Sequence, residues 1–220
     1  MAAVILAEER AAVCEYARRL AADGLVVGTS GNISVRSDDL VAVTPTGVDY
    51  ANMRGEDVPV VSLEGAIVEG ALRPTSELPM HLSVYGEAAD PDGAPVNAVV
   101  HTHSVYATAV STLVDEVPPV HYMLAAIGPS ARVAKYATYG TLELADAMLA
   151  ALDGRRGCLL ANHGTIAYGE SLAVAYNRVQ QLEWVCQVWL IARSAGAPAL
   201  LPGDEIRHVM EKLKGYGQAR

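Results

Sequence analysis

His101 and His103 stand two residues apart at the end of the apolar run Val96-Asn97-Ala98-Val99-Val100, and they carry the first chemical signal of the chain. In an extended segment residues i and i+2 project to one face, so both imidazoles can converge on a single ion. His163, in Leu159-Leu160-Ala161-Asn162-His163-Gly164, again follows a short apolar run and makes a third candidate ligand. Three histidines without a nearby cysteine describe a catalytic metal site with an open position, not a closed structural one. A blander reading seats them as strand-end residues satisfied by backbone carbonyls. Strand ends are where sites of α/β proteins usually sit, which favours the metal. His81, His121 and His208 do not join by spacing, and a hydrogen-bonded or solvated imidazole is expected for each.

The second element is Arg73-Pro74-Thr75-Ser76-Glu77-Leu78-Pro79-Met80-His81. Two hydroxyls at a helix start, with free backbone N–H groups behind them, make an anion cradle. Ordinary capping explains Ser76, with Glu77 complementing the helix dipole, but leaves the Thr75-Ser76-Glu77 cluster only partly explained. A carboxylate beside a metal is a natural general base. Gly28-Thr29-Ser30-Gly31-Asn32 and Thr44-Pro45-Thr46-Gly47 add two more loops dense in hydroxyls and glycine. Each alone is weak. Together, in an acidic chain, they suggest a phosphate bound by backbone amides and hydroxyls with little help from lysine.

The elements that must position these groups follow from pattern. Residues 3–22, rich in Ala, Leu and Arg and stopped by Asp23-Gly24, predict a helix. Ile33–Arg36 and Leu40–Val43 predict strands, and 58–62 with 66–69 a hairpin around Glu64-Gly65. A helix is expected over 76–87, capped by Thr75 or Ser76 with Pro79 in its first turn. A strand at 96–101 then delivers the paired histidines, and Ser104 starts a helix reaching Leu113. Further helices are expected at 142–152, 171–195 and 204–214, with strands at 158–161 and 165–168. Without a regular βαβ rhythm, this reads as a single α/β domain over 1–220. The expected form is a three-layer sandwich, its mixed, largely antiparallel central sheet flanked by helices.

Bulk composition bounds the function. Of the 220 residues, 51% are apolar and 19% charged, which excludes disorder and leaves room for one well-buried core. A net charge of −9 argues against a nucleic-acid surface. Cys14, Cys158 and Cys186 are odd in number, widely spaced and set among apolar residues, so buried free thiols are expected. The start lacks a basic segment and a long apolar one, and no stretch approaches a membrane span. A cytoplasmic setting is the expectation. The Gly28-x-x-Gly31 loop lacks the strand–helix context of a dinucleotide fingerprint, which disfavours a redox enzyme.

The motifs Gly31-Asn32-Ile33-Ser34-Val35-Arg36, Thr44-Pro45-Thr46-Gly47, Pro74-Thr75-Ser76-Glu77, Val99-Val100-His101-Thr102-His103, His121-Tyr122-Met123 and Asn162-His163-Gly164 occur in a telling order. In that order and spacing the chain resembles the class II aldolase/adducin family, most nearly its branch that cleaves L-fuculose 1-phosphate. The resemblance implies that His101, His103 and His163 bind one Zn²⁺ per subunit, with Glu77 as resting ligand and catalytic base. It places Gly31, Asn32, Thr46, Gly47, Thr75 and Ser76 at phosphate-binding positions, and Tyr122 as a proton donor reaching into a neighbouring subunit's site. Tyr216 matches a tail residue that closes over substrate, and Tyr139 stands where phenylalanine is common on the aldehyde side. A homotetramer with sites at subunit interfaces is implied. So is reversible cleavage of a 1-phosphoketose into dihydroxyacetone phosphate and a small aldehyde such as lactaldehyde.

Sister activities share this machinery: 5-deoxyribulose-1-phosphate aldolase, methylthioribulose-1-phosphate dehydratase and pentulose-5-phosphate 4-epimerase. The epimerase branch tends to carry aspartate at the position of Glu77. An adducin-like binding module would need neither the three histidines nor Glu77.

Overall fold

The computed structural model describes residues 4–215, so Tyr216 lies outside the described residues. They form six α-helices and eight strands, in the order α1 (Ala7–Ala22), β1 (Asn32–Ser37), β2 (Leu40–Val43), β3 (Val60–Ser62), β4 (Ile67–Glu69), α2 (Leu78–Glu87), β5 (Ala98–Thr102), α3 (Val105–Ser111), β6 (Val133–Ala134), α4 (Leu142–Leu152), β7 (Gly157–Leu160), β8 (Gly164–Gly169), α5 (Leu172–Ala195) and α6 (Gly203–Leu213). All strands join one mixed sheet ordered β4-β3-β2-β1-β5-β8-β7-β6. Every neighbouring pair is antiparallel except β6 with β7. No helix among the described residues is long and apolar enough to cross a membrane.

β5 lies at the middle and is buried at every residue. Its alternation divides the core. Ala98 and Val100 pack with Val13, Ala17 and Leu20 of α1 and with Ala175, Tyr176 and Val179 of α5. Val99 packs on the opposite face with Met80 and Val84 of α2 and Leu144 and Met148 of α4. Each fully buried valine contributes about 1.5–3 kcal/mol. Helices therefore cover both sheet faces in three layers. A third cluster joins α3 to the second half of α5 through Ala107, Val110, Leu182, Cys186 and Trp189. All three cysteines are buried free thiols.

The helix ends obey local chemistry. Thr141 Oγ1 accepts the Leu144 amide (3.2 Å) to cap α4, and Ser171 Oγ accepts the Val174 amide (3.4 Å) to cap α5. Most boundaries shift by a residue or more from the sequence expectation, three of them instructively. α1 starts at Ala7 because Leu6 adopts a left-handed φ of 51°, so the described residues before it, Val4, Ile5 and Leu6, lie outside the helix. The N-cap of α2 is Glu77, and Thr75 Oγ1 instead closes a local turn by accepting the Glu77 amide at 3.2 Å. β5 spans Ala98–Thr102 where 96–101 is expected, and His103 lies just beyond it.

Candidate active site

Strand β5, the segment just after it and the β7–β8 turn bring the histidines together. His101, on β5, is fully buried, and its Nδ1 donates to the Thr165 carbonyl on β8 at 2.8 Å. A carbonyl can only accept, so Nδ1 carries a proton, and in the neutral ring Nε2 is the nitrogen that presents a lone pair. His103 leaves the strand with its amide bonded to Leu25 O (3.1 Å). The helix that follows, α3, is held by the Glu183 carboxylate, which accepts the Tyr106 and Ala107 amides at 2.9 and 2.7 Å. His163 sits in the turn between β7 and β8. Asn162 takes a left-handed φ of 56° there, and Gly164 lies so close to β5 that a Cβ would stand 2.0 Å from Thr102 O.

The ring nitrogens converge. His103 Nε2 lies 2.9 Å from His101 Nε2 and 3.0 Å from His163 Nε2. Glu77 adds its two oxygens, Oε2 at 3.2 Å from His101 Nε2 and Oε1 at 3.2 Å from His163 Nε2. The dipole role supposed for Glu77 at a helix start is not what its side chain does: it caps nothing and turns to the imidazoles. One donor atom from each of the four residues fits within a 4.8 Å span. Glu77 Oε1 is buried with no hydrogen-bond partner among the described residues. Facing lone pairs and an orphaned carboxylate oxygen are what a divalent cation would satisfy, so the donor set fits a metal ion.

Charge follows the same geometry. Burial would raise the Glu77 carboxyl, but His101 and His163 beside it hold it far below the usual carboxylate range. Burial, then the neighbouring His101 and His163, pulls His103 down to about 3, leaving a neutral ring. His101 moves the other way: burial opposes its charge, and the Glu77 carboxylate outweighs burial.

Above this cluster opens a cavity of about 510 Å³. Gly31, Asn32, Thr46, Gly47, Thr75 and Ser76 line it together with Glu77, His103 and His163. The loops meet because Pro45 bridges Pro74, the Thr46 amide donates to Arg73 O (3.1 Å), and the Thr75 amide donates to Thr44 O (3.0 Å). Gly31 has a φ of 74°, and a Cβ there would sit 2.5 Å from Val26 Cγ1 and 2.9 Å from His101 O. Among the described residues no lysine or arginine lines the cavity. Thr29, Ser30, Tyr136 and Tyr139 line it too, the tyrosines at its exposed rim. Tyr122 is elsewhere: it is half exposed in a 3-10 turn, Tyr122–Ala126, stacked on His121 with ring centroids 4.4 Å apart.

His81 is the hydrogen-bonded imidazole expected for it, but its partners escaped sequence reasoning. His81 is fully buried, with Nε2 2.6 Å from Asn32 Oδ1 and Nδ1 2.7 Å from Ser34 Oγ. Asn32 Nδ2 donates to Glu77 Oε2 at 2.9 Å, and Ser34 Oγ lies 2.7 Å from the Tyr85 hydroxyl. The signal was present as spacing: Glu77, His81 and Tyr85 recur every fourth residue of α2, and Asn32 and Ser34 alternate on β1.

The family model for the class II aldolase and adducin N-terminal domain matches residues 11–190. A 5-deoxy-D-ribulose 1-phosphate aldolase of Bacillus thuringiensis is 41% identical over 98% of this chain and 100% of its own length. The L-fuculose phosphate aldolase of Escherichia coli K12 is 39% identical, covering 88% of each chain. A solved L-fuculose 1-phosphate aldolase superposes with a TM-score of 0.89 at 38% identity, covering 97% of this chain and 98% of that one.

Proposed function

The chain belongs to the class II aldolase and adducin family and is a metal-dependent aldehyde-lyase, and we propose that it cleaves a 1-phosphoketose with a short deoxy tail into dihydroxyacetone phosphate and a small aldehyde. The observation that carries this reading is the shared cavity, in which an anionic carboxylate and the imidazoles of His103 and His163, backed by buried His101, face a ring of hydroxyls and amides. The family's lyases named above act on L-fuculose 1-phosphate and 5-deoxy-D-ribulose 1-phosphate. Cutting C3–C4 in these gives lactaldehyde or acetaldehyde beside the same three-carbon phosphate.

In this reading the phosphate lies against Gly31, Thr46, Gly47, Thr75 and Ser76, bound by neutral donors. Asn32 contributes little more than one N–H, because its carboxamide already serves Glu77 and His81. A divalent ion held by His101, His103 and His163, zinc in our reading, supplies Lewis acidity at the substrate's carbonyl oxygen. When C3–C4 breaks, the electron pair remains on C3, and Glu77 delivers the proton there; in condensation it removes that proton. In condensation the carboxylate, which its partners keep ionised in the resting site, accepts that C3 proton directly; in cleavage Glu77 first takes up a proton from solvent and then passes it to C3. Tyr122, half exposed and away from the cavity of its own chain, exchanges the proton at the aldehyde oxygen of a neighbouring copy's site within a homotetramer. Tyr139 at the cavity rim borders the aldehyde end. Retention of Glu77 favours carbon–carbon cleavage over epimerisation, and retention of the donor set favours an enzyme over a binding module.

Zinc-loaded protein assayed with a panel of 1-phosphoketoses, scored for dihydroxyacetone phosphate release, tests the reading. Release from L-fuculose 1-phosphate or 5-deoxyribulose 1-phosphate is expected. No release from any member would overturn it.

A further inference from the structure

We propose that His81 is a positioning residue for Glu77. It locks the Asn32 carboxamide in the orientation that donates to the carboxylate, through a one-way hydrogen-bond chain beginning at Tyr85. The inference rests on the reading of Glu77 as the base.

Chemistry fixes the direction. An ionised carboxylate only accepts, so Asn32 must present Nδ2 to Glu77 Oε2 across the 2.9 Å contact. Asn32 Oδ1 then faces His81 Nε2 at 2.6 Å, and a carbonyl only accepts, so Nε2 carries the proton. A neutral ring protonated at Nε2 has a lone pair on Nδ1, which receives the Ser34 hydroxyl at 2.7 Å. Ser34 Oγ in turn receives the Tyr85 hydroxyl at 2.7 Å. Each group has one role, and reversing any link would set two acceptors or two donors against each other.

The surroundings leave no substitute. His81 and Ser34 are fully buried, Asn32 is 4% exposed and Tyr85 6%. Burial pulls His81 down to about 3, so the ring stays neutral at working pH. The members stand on α2 and β1, elements whose own ladders hold them still. Asn32 has no titratable proton, so the chain transmits orientation and not protons. Its effect is to occupy Oε2, leaving Oε1, which makes no hydrogen bond, as the oxygen that meets substrate carbon.

Two measurements test this. Ring-nitrogen NMR of the unmodified, full-length protein at neutral pH is expected to find His81 neutral with its proton on Nε2. A proton on Nδ1 overturns the proposal. This readout needs neither metal nor substrate, so it decides the relay even where the proposed substrates fail. His81→Phe keeps the ring volume and removes both polar contacts, whereas His81→Gln restores an N–H near the Nε2 position. In zinc-loaded enzyme, His81→Phe should lower kcat by about 10- to 100-fold with KM nearly unchanged, and His81→Gln should recover most of that loss. Equal losses in both variants, or a loss confined to KM, would overturn it. Should His81→Phe not fold, the tautomer and the His81→Gln rate decide, a rate near the unmodified enzyme being the expected result.

Discussion

Glu77 faces two imidazoles and one carboxamide, so its behaviour is set by partners and not by its own chain position. Glu77→Gln keeps the volume and the Asn32 neighbour while removing the base. The expected outcome is a loss of about 10²- to 10⁴-fold in kcat with the fold intact, measured as dihydroxyacetone phosphate release beside a thermal melt. An unchanged rate would remove Glu77 from the chemistry. The spacing of His101 and His103 and the Thr75-Ser76-Glu77 run were legible because local geometry fixes what such neighbours can reach. His81 was not. Its meaning depends on β1 lying across α2, a contact between residues 47 apart in the chain that no local pattern contains.

At the level of elements, legibility tracked the strength of local signals. The helix over 142–152 was read to the residue because Thr141 caps it and Asp153-Gly154 stops it. β6 is only two residues long and exists because β7 pairs with it, so its formation is decided at a distance. The start of α1 differs from the expected one because helix propensity along Val4-Ile5-Leu6 carries no sign of the left-handed turn that Leu6 takes before Ala7. Two substitutions test how elements hold the site. Gly164→Ala would press a methyl onto the Thr102 carbonyl, a backbone atom that cannot swing away. A loss of about 1–3 kcal/mol or more is expected from urea unfolding. Glu183→Gln removes the charge that holds the first amides of α3. About 0.5–1 kcal/mol should be lost in the same assay, and no loss would mean that the amides find other acceptors.

For the molecule as a whole, stability should depend on acidity in a definite sense. His81 titrates near 3 when folded, below its ordinary value of 6.5. Below pH 6.5 the unfolded chain therefore binds a proton that the folded chain refuses, and stability falls by about 1.4 kcal/mol per pH unit from this group alone. Asp90, paired with Arg156 at 2.8 Å, is held below its ordinary 3.8, so its contribution is present above that value and is lost on further acidification. Urea midpoints of metal-free protein between pH 8 and 5 should decline accordingly, and His81→Gln should flatten the slope. The proposed sharing of Tyr122 between copies is a property of the assembly. Mixed assemblies of Tyr122→Phe and Glu77→Gln chains should recover activity that neither has alone, and assembled mixtures without recovery would argue against it. The central sheet bears on self-association in another way. Its outermost strands, β4 and β6, span three and two residues, and Glu69 at the end of β4 is engaged by Arg10. Such stubs offer an incoming strand almost no ladder of free amides to extend. The folded protein should therefore resist fibrillation at high concentration, and copies that associate should do so through helices and loops.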